Sequence, residues 1–295
     1  MTSHRSSVGI LAAALLLAAL GAGPAAGAAT PPSTAAAASP GSSSVRSAVA
    51  LHSSSPCVRR AITFYCGTVP AYNVGPVVTS LQFAFGDPSD VPLFGDWNGD
   101  GDRTAAVFRP STATWYLTNT DDAHDAPLHV SFGQPGDIPL AGDWDGNGTE
   151  TIGLYRPSNT TFYLRNSNTS GVADVTIPFG NLGDVPVAGD FDGGGLSSGG
   201  PIRPTRVGVY RPSNVTFYRT HASGPVTATP YGNPGDRPVA GPYWCASCAC
   251  TPFEATFGVF RPGDITWYGL CVSNVMSASP ANFRFGGPGD TPLLK

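Results

Sequence analysis

The chain has 295 residues and a formal net charge of −4 at pH 7, and charged residues make up only 12% of it. Its only lysine is Lys295. Nucleic-acid-binding proteins usually present a basic face, so this acidic balance disfavours such a role, and we expect no nucleic-acid partner. The 37 glycines and 29 prolines, against only two glutamates, disfavour a helical protein and favour a turn-rich β protein.

The first 28 residues have the layout of a cleavable secretory signal peptide. Arg5 precedes an apolar run over residues 10–20, and residues 26–28 (AGA) match the small-x-small pattern of signal-peptidase sites. Because the run is short for a bilayer span, we expect cleavage and no membrane insertion. Residues 29–48 are mostly Ala, Ser and Pro, which predicts a flexible leader. The sequence thus predicts a secreted protein whose folded part is residues 49–295.

The folded part is a repeat marked by Phe-Gly or Tyr-Gly dipeptides. These dipeptides begin at Phe85, Phe132, Phe179, Tyr231 and Phe285. Between them recur a strand that ends in Arg-Pro, such as IGLYRP, and an aromatic-Tyr strand, such as TTFYL. Apolar alternation and turn-forming residues predict four short strands in each unit of about 40–50 residues, which is typical of a β-propeller blade.

The two ends of the repeat region complement each other. Residues 62–67 match the third strand of a unit, residues 80–86 match the fourth, and residues 47–53 (SAVALHS) are a weak match to the second. Residues 291–295 would begin a first strand. We therefore predict an all-β, five-bladed β-propeller of four-stranded blades, closed by a composite blade shared between the N- and C-terminal segments. The alternative is a truncated array with an incomplete ring.

The pattern FG…PGDxP…GDWDGDG…GVxRP resembles FG-GAP repeats, also called VCBS-type repeats, which form integrin-α-like propellers. The resemblance covers residues from near 60 to 295, with the Phe-Gly dipeptide, the acidic loop and the following strand in one fixed order. It implies an extracellular adhesion, lectin or scaffold module, or a propeller attached to a secreted enzyme. It also implies calcium bound in a loop between the first two strands of a blade.

The resemblance assigns candidate calcium ligands to three such loops, because calcium takes six to eight oxygen ligands. The first loop offers Asp96, Asn98, Asp100, Asp102 and Thr104. The second offers Asp143, Asp145, Asn147 and Thr151, with Glu150 nearby. The third offers Asp190 and Asp192. The two threonines stand where the family usually has aspartate, and the alternative for every loop is an Asp/Asn/Gly turn held by its own hydrogen bonds.

The six cysteines predict disulfides, since an even count is typical of secreted chains. The spacing of Cys245, Cys248 and Cys250 also fits zinc, which is the alternative. In the fourth repeat, these cysteines replace the acidic loop. We therefore predict that disulfides among Cys245, Cys248, Cys250 and Cys271 stabilise that blade, which leaves Cys57 with Cys66.

The repeated arginines and tryptophans are expected to be structural. Each arginine of an Arg-Pro pair should bind the aspartate of a Pro-Gly-Asp turn, and most tryptophans should fill the space between blades. The remaining carboxylates include no evident catalytic pair, and Glu254 is the only glutamate outside the loops. We therefore expect a non-catalytic binding or scaffold module for extracellular glycans or surface proteins. The alternative is a secreted glycoside hydrolase of the five-bladed propeller type, which would need two carboxylates flanking the scissile bond.

Overall fold

The structure is a computed structural model that describes residues 56–68, 78–120, 127–192, 204–241, 256–270 and 281–293. These residues form twenty strands in five four-stranded antiparallel sheets, arranged as a five-bladed β-propeller. Within these ranges there is no helix that is long and apolar enough to cross a membrane. The predicted all-β fold and blade count are confirmed. The predicted signal peptide and leader lie outside the described residues.

The strands of four blades pair with their neighbours in chain order, and the composite blade adds β20 beside β1. The composite blade contains β1 (Cys57–Arg60), β2 (Thr63–Thr68), β3 (Val78–Ala84) and β20 (Thr291–Pro292). Blade 1 contains β4 (Val91–Gly95), β5 (Thr104–Arg109), β6 (Thr114–Leu117) and β7 (Leu128–Ser131). Blade 2 contains β8 (Ile138–Gly142), β9 (Thr151–Arg156), β10 (Thr161–Leu164) and β11 (Val175–Pro178). Blade 3 contains β12 (Val185–Gly189), β13 (Arg206–Arg211), β14 (Thr216–Arg219) and β15 (Thr227–Pro230), and blade 4 contains β16 (Arg237–Gly241), β17 (Thr256–Arg261), β18 (Thr266–Leu270) and β19 (Ala281–Arg284).

The hydrophobic core lies between blades. It consists of five apolar clusters, and each cluster draws its residues from two adjacent blades. The first strands of blades 1 to 4 contact one another in succession, which places them around the centre of the ring. The second strands are buried along nearly their whole length, whereas the fourth strands of blades 2 and 3 are mostly exposed. Sequence repetition therefore produces a ring in which each blade needs both neighbours to bury its apolar surface.

The composite blade closes the ring. β20 pairs with β1 through Val58↔Pro292 and Arg59↔Thr291, and the Leu293 amide donates to the Cys57 carbonyl at 3.2 Å. One cluster joins Val58 to blade 4, and another joins Cys57 to blade 1. The predicted closure is confirmed, and the alternative of an incomplete ring is wrong.

The second strand of the composite blade is not where the sequence match placed it. It is β1, and residues 47–53, which the sequence match proposed for this strand, lie outside the described residues. Arg60 pairs with Thr63 just as Arg109 pairs with Thr114, so Arg60 is the equivalent of the repeated strand-end arginine. The connection between these two strands is two residues shorter here, and Arg60 is followed by alanine, not proline. These two departures removed the Arg-Pro landmark from the sequence.

The tryptophan of the Gly-Asp-Trp sequence fills the space between two blades. Trp97 is buried in a cluster with Ala141 and Ile152 of blade 2, and its indole nitrogen donates to the Thr104 carbonyl at 3.1 Å. The ring folds back over Gly95, where a Cβ would lie 2.6 Å from the ring carbon Cη2. Glycine is therefore required two residues before the tryptophan. The predicted role of the tryptophans between blades is confirmed.

A disulfide joins the two strands next to the point of closure. Cys57 and Cys66 lie directly opposite each other on β1 and β2 and are bonded, as predicted. A disulfide is compatible with an oxidising, extracellular location. The other four cysteines, Cys245, Cys248, Cys250 and Cys271, lie outside the described residues. Their pairing, and the zinc alternative, therefore stay predictions.

Candidate functional site: the two rims of the propeller

The loops between the first and second strands lie at one end of the blades, which we call the loop rim. In blade 1, the Asp96 carboxylate organises the loop by accepting hydrogen bonds from the amides of Gly99, Asp100 and Gly101 at 2.7–3.1 Å. The Asn98 amide nitrogen donates to Asp100 Oδ2 at 2.8 Å. Three of the predicted calcium ligands therefore meet in one turn.

Blade 2 repeats this arrangement. Asp143 accepts from the amides of Gly146, Asn147 and Gly148 at 2.8–3.0 Å. The Asn147 side chain donates to Asp145 Oδ2 at 3.1 Å. Both loops thus have the hydrogen bonds expected for the alternative interpretation, an Asp/Asn/Gly turn that holds itself together.

The predicted ligands at the ends of these loops take other positions. Thr104 and Thr151 are buried, and their hydroxyls donate to the backbone carbonyls of Thr118 and Arg165, where the third strand ends. The exposed Asp102 contributes its amide to Asp100 Oδ1 at 2.8 Å. The structure therefore gathers the first three candidates of each loop and directs the hydroxyls of both threonines away from them.

The third loop differs because a cation is built into it. Asp192 Oδ2 accepts from Nε of Arg206 at 2.7 Å, and Asp192 Oδ1 contacts Nδ1 of His221 at 3.1 Å. Arg206 pairs with Gly189, just as Thr104 pairs with Gly95 in blade 1. The arginine thus occupies the position of the threonine, and its charge balances Asp192. Asp190 Oδ1 accepts the Asp192 amide at 3.3 Å.

The pKa values of these aspartates also distinguish the first two loops from the third. Burial raises the pKa of Asp96 and of Asp143, although the backbone amides that bind them act in the opposite direction. Burial also opposes the ionisation of Asp192, but hydrogen bonds from Arg206, the Ala222 amide and His221 outweigh it and hold the pKa of Asp192 below its usual value. The first two loops therefore hold a partly buried anion without a cationic partner of this kind, and the third does not.

The donor atoms of the first two loops are of the type that calcium prefers. Carboxylate and amide oxygens at alternate positions are hard ligands. Among the described residues, however, no group of three or more His, Cys, Asp or Glu side chains converges in a way that could hold a metal ion. Each loop gathers two carboxylates and one amide, so further oxygens from the backbone or water would be needed to complete the coordination.

Adjacent loops are tied together by a contact that the sequence did not predict. The Glu150 carboxylate pairs with Nη2 of Arg103 at 2.9 Å and accepts the Asp96 amide at 3.1 Å. The Glu150 amide donates to the Asp96 carbonyl at 2.8 Å. Thr205 makes the corresponding contacts to Asp143, one blade further on. In the sequence, the only indication of these contacts between loops was that Glu150 and Thr205 each stand one residue before a second strand.

The opposite end of the blades carries the strand-end arginines, and we call it the arginine rim. In each blade, one such arginine contacts a buried aspartate at 2.7–3.0 Å. The five pairs are Arg60–Asp290, Arg109–Asp90, Arg156–Asp137, Arg211–Asp184 and Arg261–Asp236. The same aspartates accept backbone amides of the preceding turn, as Asp137 does from Gln134. The predicted bond between the arginines and the turn aspartates is confirmed.

Each of these arginines also stacks on a tyrosine of the third strand. The guanidinium carbon lies 4.3–5.4 Å from the ring centroid in the five blades. The tyrosines are Tyr65, Tyr116, Tyr163, Tyr218 and Tyr268, and all are half-buried. The arginine rim therefore presents five equivalent Arg–Tyr stacks, and the arginine of each stack is also paired with a buried aspartate.

A buried arginine in blade 3 was missed from the sequence. Arg219 is 3% exposed and takes the strand position of Leu117 and Leu164. Its Nε and Nη1 atoms have no hydrogen-bond partner among the described residues. Its guanidinium carbon lies 4.8 Å from the Phe257 ring centroid. Burial alone lowers the pKa of Arg219 to about 10. The sequence could have indicated this buried arginine, because it stands at a strand position that is leucine in blades 1 and 2.

Compared with protein-family models, curated proteins and solved structures, the chain has no match. The resemblance to FG-GAP repeats therefore depends on the sequence pattern alone and stays a prediction. The geometry adds the five-bladed ring, three acidic loops of two kinds, and a repeated Arg–Tyr–Asp arrangement on the opposite rim.

Proposed function

We propose that the protein is a secreted, non-catalytic binding or scaffold module of the FG-GAP type, with extracellular glycans or surface proteins as its partners. The five equivalent Arg–Tyr stacks on the arginine rim carry the proposal. Half-buried tyrosines and arginines are the side chains that contribute most to protein interfaces, and aromatic faces also pack on sugar rings. Five copies on one rigid ring would allow several weak contacts to add in avidity.

We also propose that the first two loops bind calcium. Asp96, Asn98 and Asp100 would hold one ion, and Asp143, Asp145 and Asn147 would hold the other. The partly buried aspartates without a cationic partner support this proposal. Calcium would supply positive charge and join the two ends of each loop. The third loop fits calcium least, because Arg206 and His221 already bind Asp192.

A glycan array probed with the purified protein, once with calcium and once with a chelator, tests the proposed function. We expect binding to a defined set of glycans, without turnover, and weaker binding in the chelator. A parallel assay for reducing sugars released from the bound glycans tests the alternative. Release of reducing sugars would overturn the non-catalytic proposal in favour of a glycoside hydrolase. Absence of binding to any glycan would restrict the proposal to protein partners.

A further inference from the structure

One cleft on the arginine rim is built differently from the others. It lies between blade 4 and the composite blade, has a volume of about 380 Å³, and is lined by Arg60, Tyr65, Thr79, Ile265, Arg284 and Asp290, among others. We call it the 4/composite cleft. Its volume is in the range of pockets that hold small ligands. Two arginines and one aspartate line this cleft, so the positively charged groups outnumber the negatively charged ones.

The first difference from the repeat is Arg284. This arginine immediately precedes the Phe-Gly dipeptide, where the other repeats have small or neutral residues, namely Ala84, Ser131, Pro178 and Pro230. Arg284 is exposed, and its Nε and Nη2 donate to the Asp264 carbonyl at 3.1 and 2.9 Å. It has no carboxylate partner within 4.0 Å among the described residues.

Arg284 therefore adds a positive charge that the equivalent position of the other repeats does not have. The neighbouring Arg60 is already balanced by Asp290, to which it donates at 2.7 and 3.0 Å. The same balance holds in the four other arginine–aspartate pairs. Backbone bonding fixes one edge of the Arg284 guanidinium, which leaves Nη1 and its protons available to a ligand.

The second difference is the hydroxyl of Tyr65. In the other blades this hydroxyl is bonded within its own blade: Tyr116 by Arg109, Tyr163 by Asn159, Tyr218 by Asn214, and Tyr268 to Asp264, at 2.9–3.1 Å. Tyr65 has no such bond to any residue that the structure describes. The short connection between β1 and β2 consists of Ala61 and Ile62, and neither side chain can form a hydrogen bond. Among the described residues, the cleft thus combines a guanidinium without a carboxylate partner and a tyrosine hydroxyl without a hydrogen-bond partner.

We propose that the 4/composite cleft binds a sugar residue that carries a carboxylate, such as a uronic acid unit of an acidic polysaccharide. The proposal rests on the proposed function and names a ligand class for it. The carboxylate would accept from Arg284, because guanidinium–carboxylate pairs are strong and directional. The hydroxyls of Tyr65 and Thr79 would contact the sugar hydroxyls, and Ile265 would cover an apolar part of the ring. An inorganic anion would use Arg284 alone.

Isothermal titration calorimetry of the whole chain with trigalacturonate as the probe ligand tests the proposal. Fully methyl-esterified trigalacturonate is the matched control, because it keeps the sugar hydroxyls but carries no charge. We expect binding of the acid, at least tenfold weaker binding of the ester, and no comparable binding of sulfate. Arg284→Ser, which copies Ser131 of blade 1, should weaken binding about tenfold, in line with the loss of a hydrogen bond to a charged group.

Variants at the tyrosine separate a local role from a general one. Tyr65→Phe should weaken binding of trigalacturonate several-fold. Tyr155→Phe, a change in blade 2 outside the Arg–Tyr stacks, should leave binding unchanged, because the Tyr155 hydroxyl is buried and does not line the cleft. Thermal unfolding of each variant establishes that it is folded.

Two outcomes would overturn the inference. Equal binding of acid, ester and sulfate would contradict a carboxylate-bearing sugar as the ligand. Undiminished binding in a folded Arg284→Ser variant would contradict the location. If the array then showed only neutral glycans, the proposed function would stand without this inference. If the acid bound at the cleft and was also cleaved, the inference would stand and the non-catalytic proposal would fail.

Discussion

The two rims of the propeller both contain aspartates that are at least partly buried, but they stabilise the negative charge of these aspartates in different ways. On the arginine rim, every blade buries one aspartate and covers it with one arginine of its own sequence. On the loop rim, among the three loops with candidate ligands, the described residues supply such a cation in blade 3, through Arg206, whereas the loops of blades 1 and 2 hold Asp96 and Asp143 by backbone amides. The chain itself thus balances the buried aspartates of the arginine rim, and the calcium that we propose for the loop rim would balance Asp96 and Asp143.

Deletion of residues 291–295 should have the largest effect, because it removes β20 and uncovers the composite blade on which both rims depend. Leu293 is 2% exposed, and β1 would become an open edge. We expect the melting temperature to fall by about 10 °C or more. Circular dichroism during heating measures this change. An unchanged melting temperature would contradict closure by the C-terminal strand.

Asp137→Ala should be the next most damaging change, because it removes the carboxylate partner of Arg156 on the arginine rim. The Asp137 side chain is 2% exposed, and breaking a buried pair costs about 3 kcal/mol of unfolding free energy. Urea titration measures it. Asp87→Ala is the control, since Asp87 is 62% exposed and also contacts Arg109. An exposed ion pair contributes at most about 1 kcal/mol. Equal losses in the two variants would contradict the difference in burial.

Asp192→Asn tests the built-in cation of the third loop through its pH dependence. Because the folded-state pKa of Asp192 lies below its ordinary value, ionisation of Asp192 stabilises the protein above the unfolded-state pKa of about 3.9. That contribution is lost as the pH falls through the folded-state pKa. The variant should therefore be less stable than the wild type by about 1 kcal/mol at pH 7, and the difference should shrink below pH 3.9. A difference that is constant with pH would contradict the ionic role of Asp192.

Asp145→Ala should have the smallest effect, and only when calcium is present. Asp145 is exposed and, within the described ranges, its side chain hydrogen-bonds only with Asn147 of its own loop, so in a chelator its loss should cost less than about 0.5 kcal/mol. In calcium, the variant should lose part of the rise in melting temperature that we expect for the wild type. Differential scanning fluorimetry measures both states. Thr149→Ala, in the same loop, is the control, and an equal loss in that variant would contradict Asp145 as a ligand.

The features that repeat were predictable from the sequence. Phe-Gly dipeptides in phase gave the blade boundaries, and the recurrence of arginine at strand ends with aspartate in the turns gave the ion pairs. A repeated position must satisfy the same contacts in every blade, so one pattern carries several observations. The composite blade followed from strand counting at the two ends.

The features that depart from the repeat were not predictable. β1 was missed because its arginine is followed by alanine and its turn is shorter. The pairing of Arg206 with Asp192 was hidden because 14 positions separate the two residues, whereas Asn98 and Thr104, at the matching places of blade 1, are 6 positions apart. Whether Tyr65 keeps a free hydroxyl depends on which atoms reach it across a turn. Such contacts depend on three-dimensional distance, which the residue types alone do not specify.

The composite blade also has a consequence for the order in which the protein folds. Blades 1 to 4 pair strands that are neighbours in the chain, so each can form soon after its own residues are available. Arg60 and Asp290, by contrast, are 230 positions apart, and the entropy of closing so long a loop must be overcome before β20 can dock. Until that moment, β1 to β3 have an unpaired edge, and the apolar surfaces of blades 1 and 4 that face the composite blade lack their cover. The time between formation of blade 4 and docking of β20 is therefore an interval in which the protein is exposed to aggregation and proteolysis.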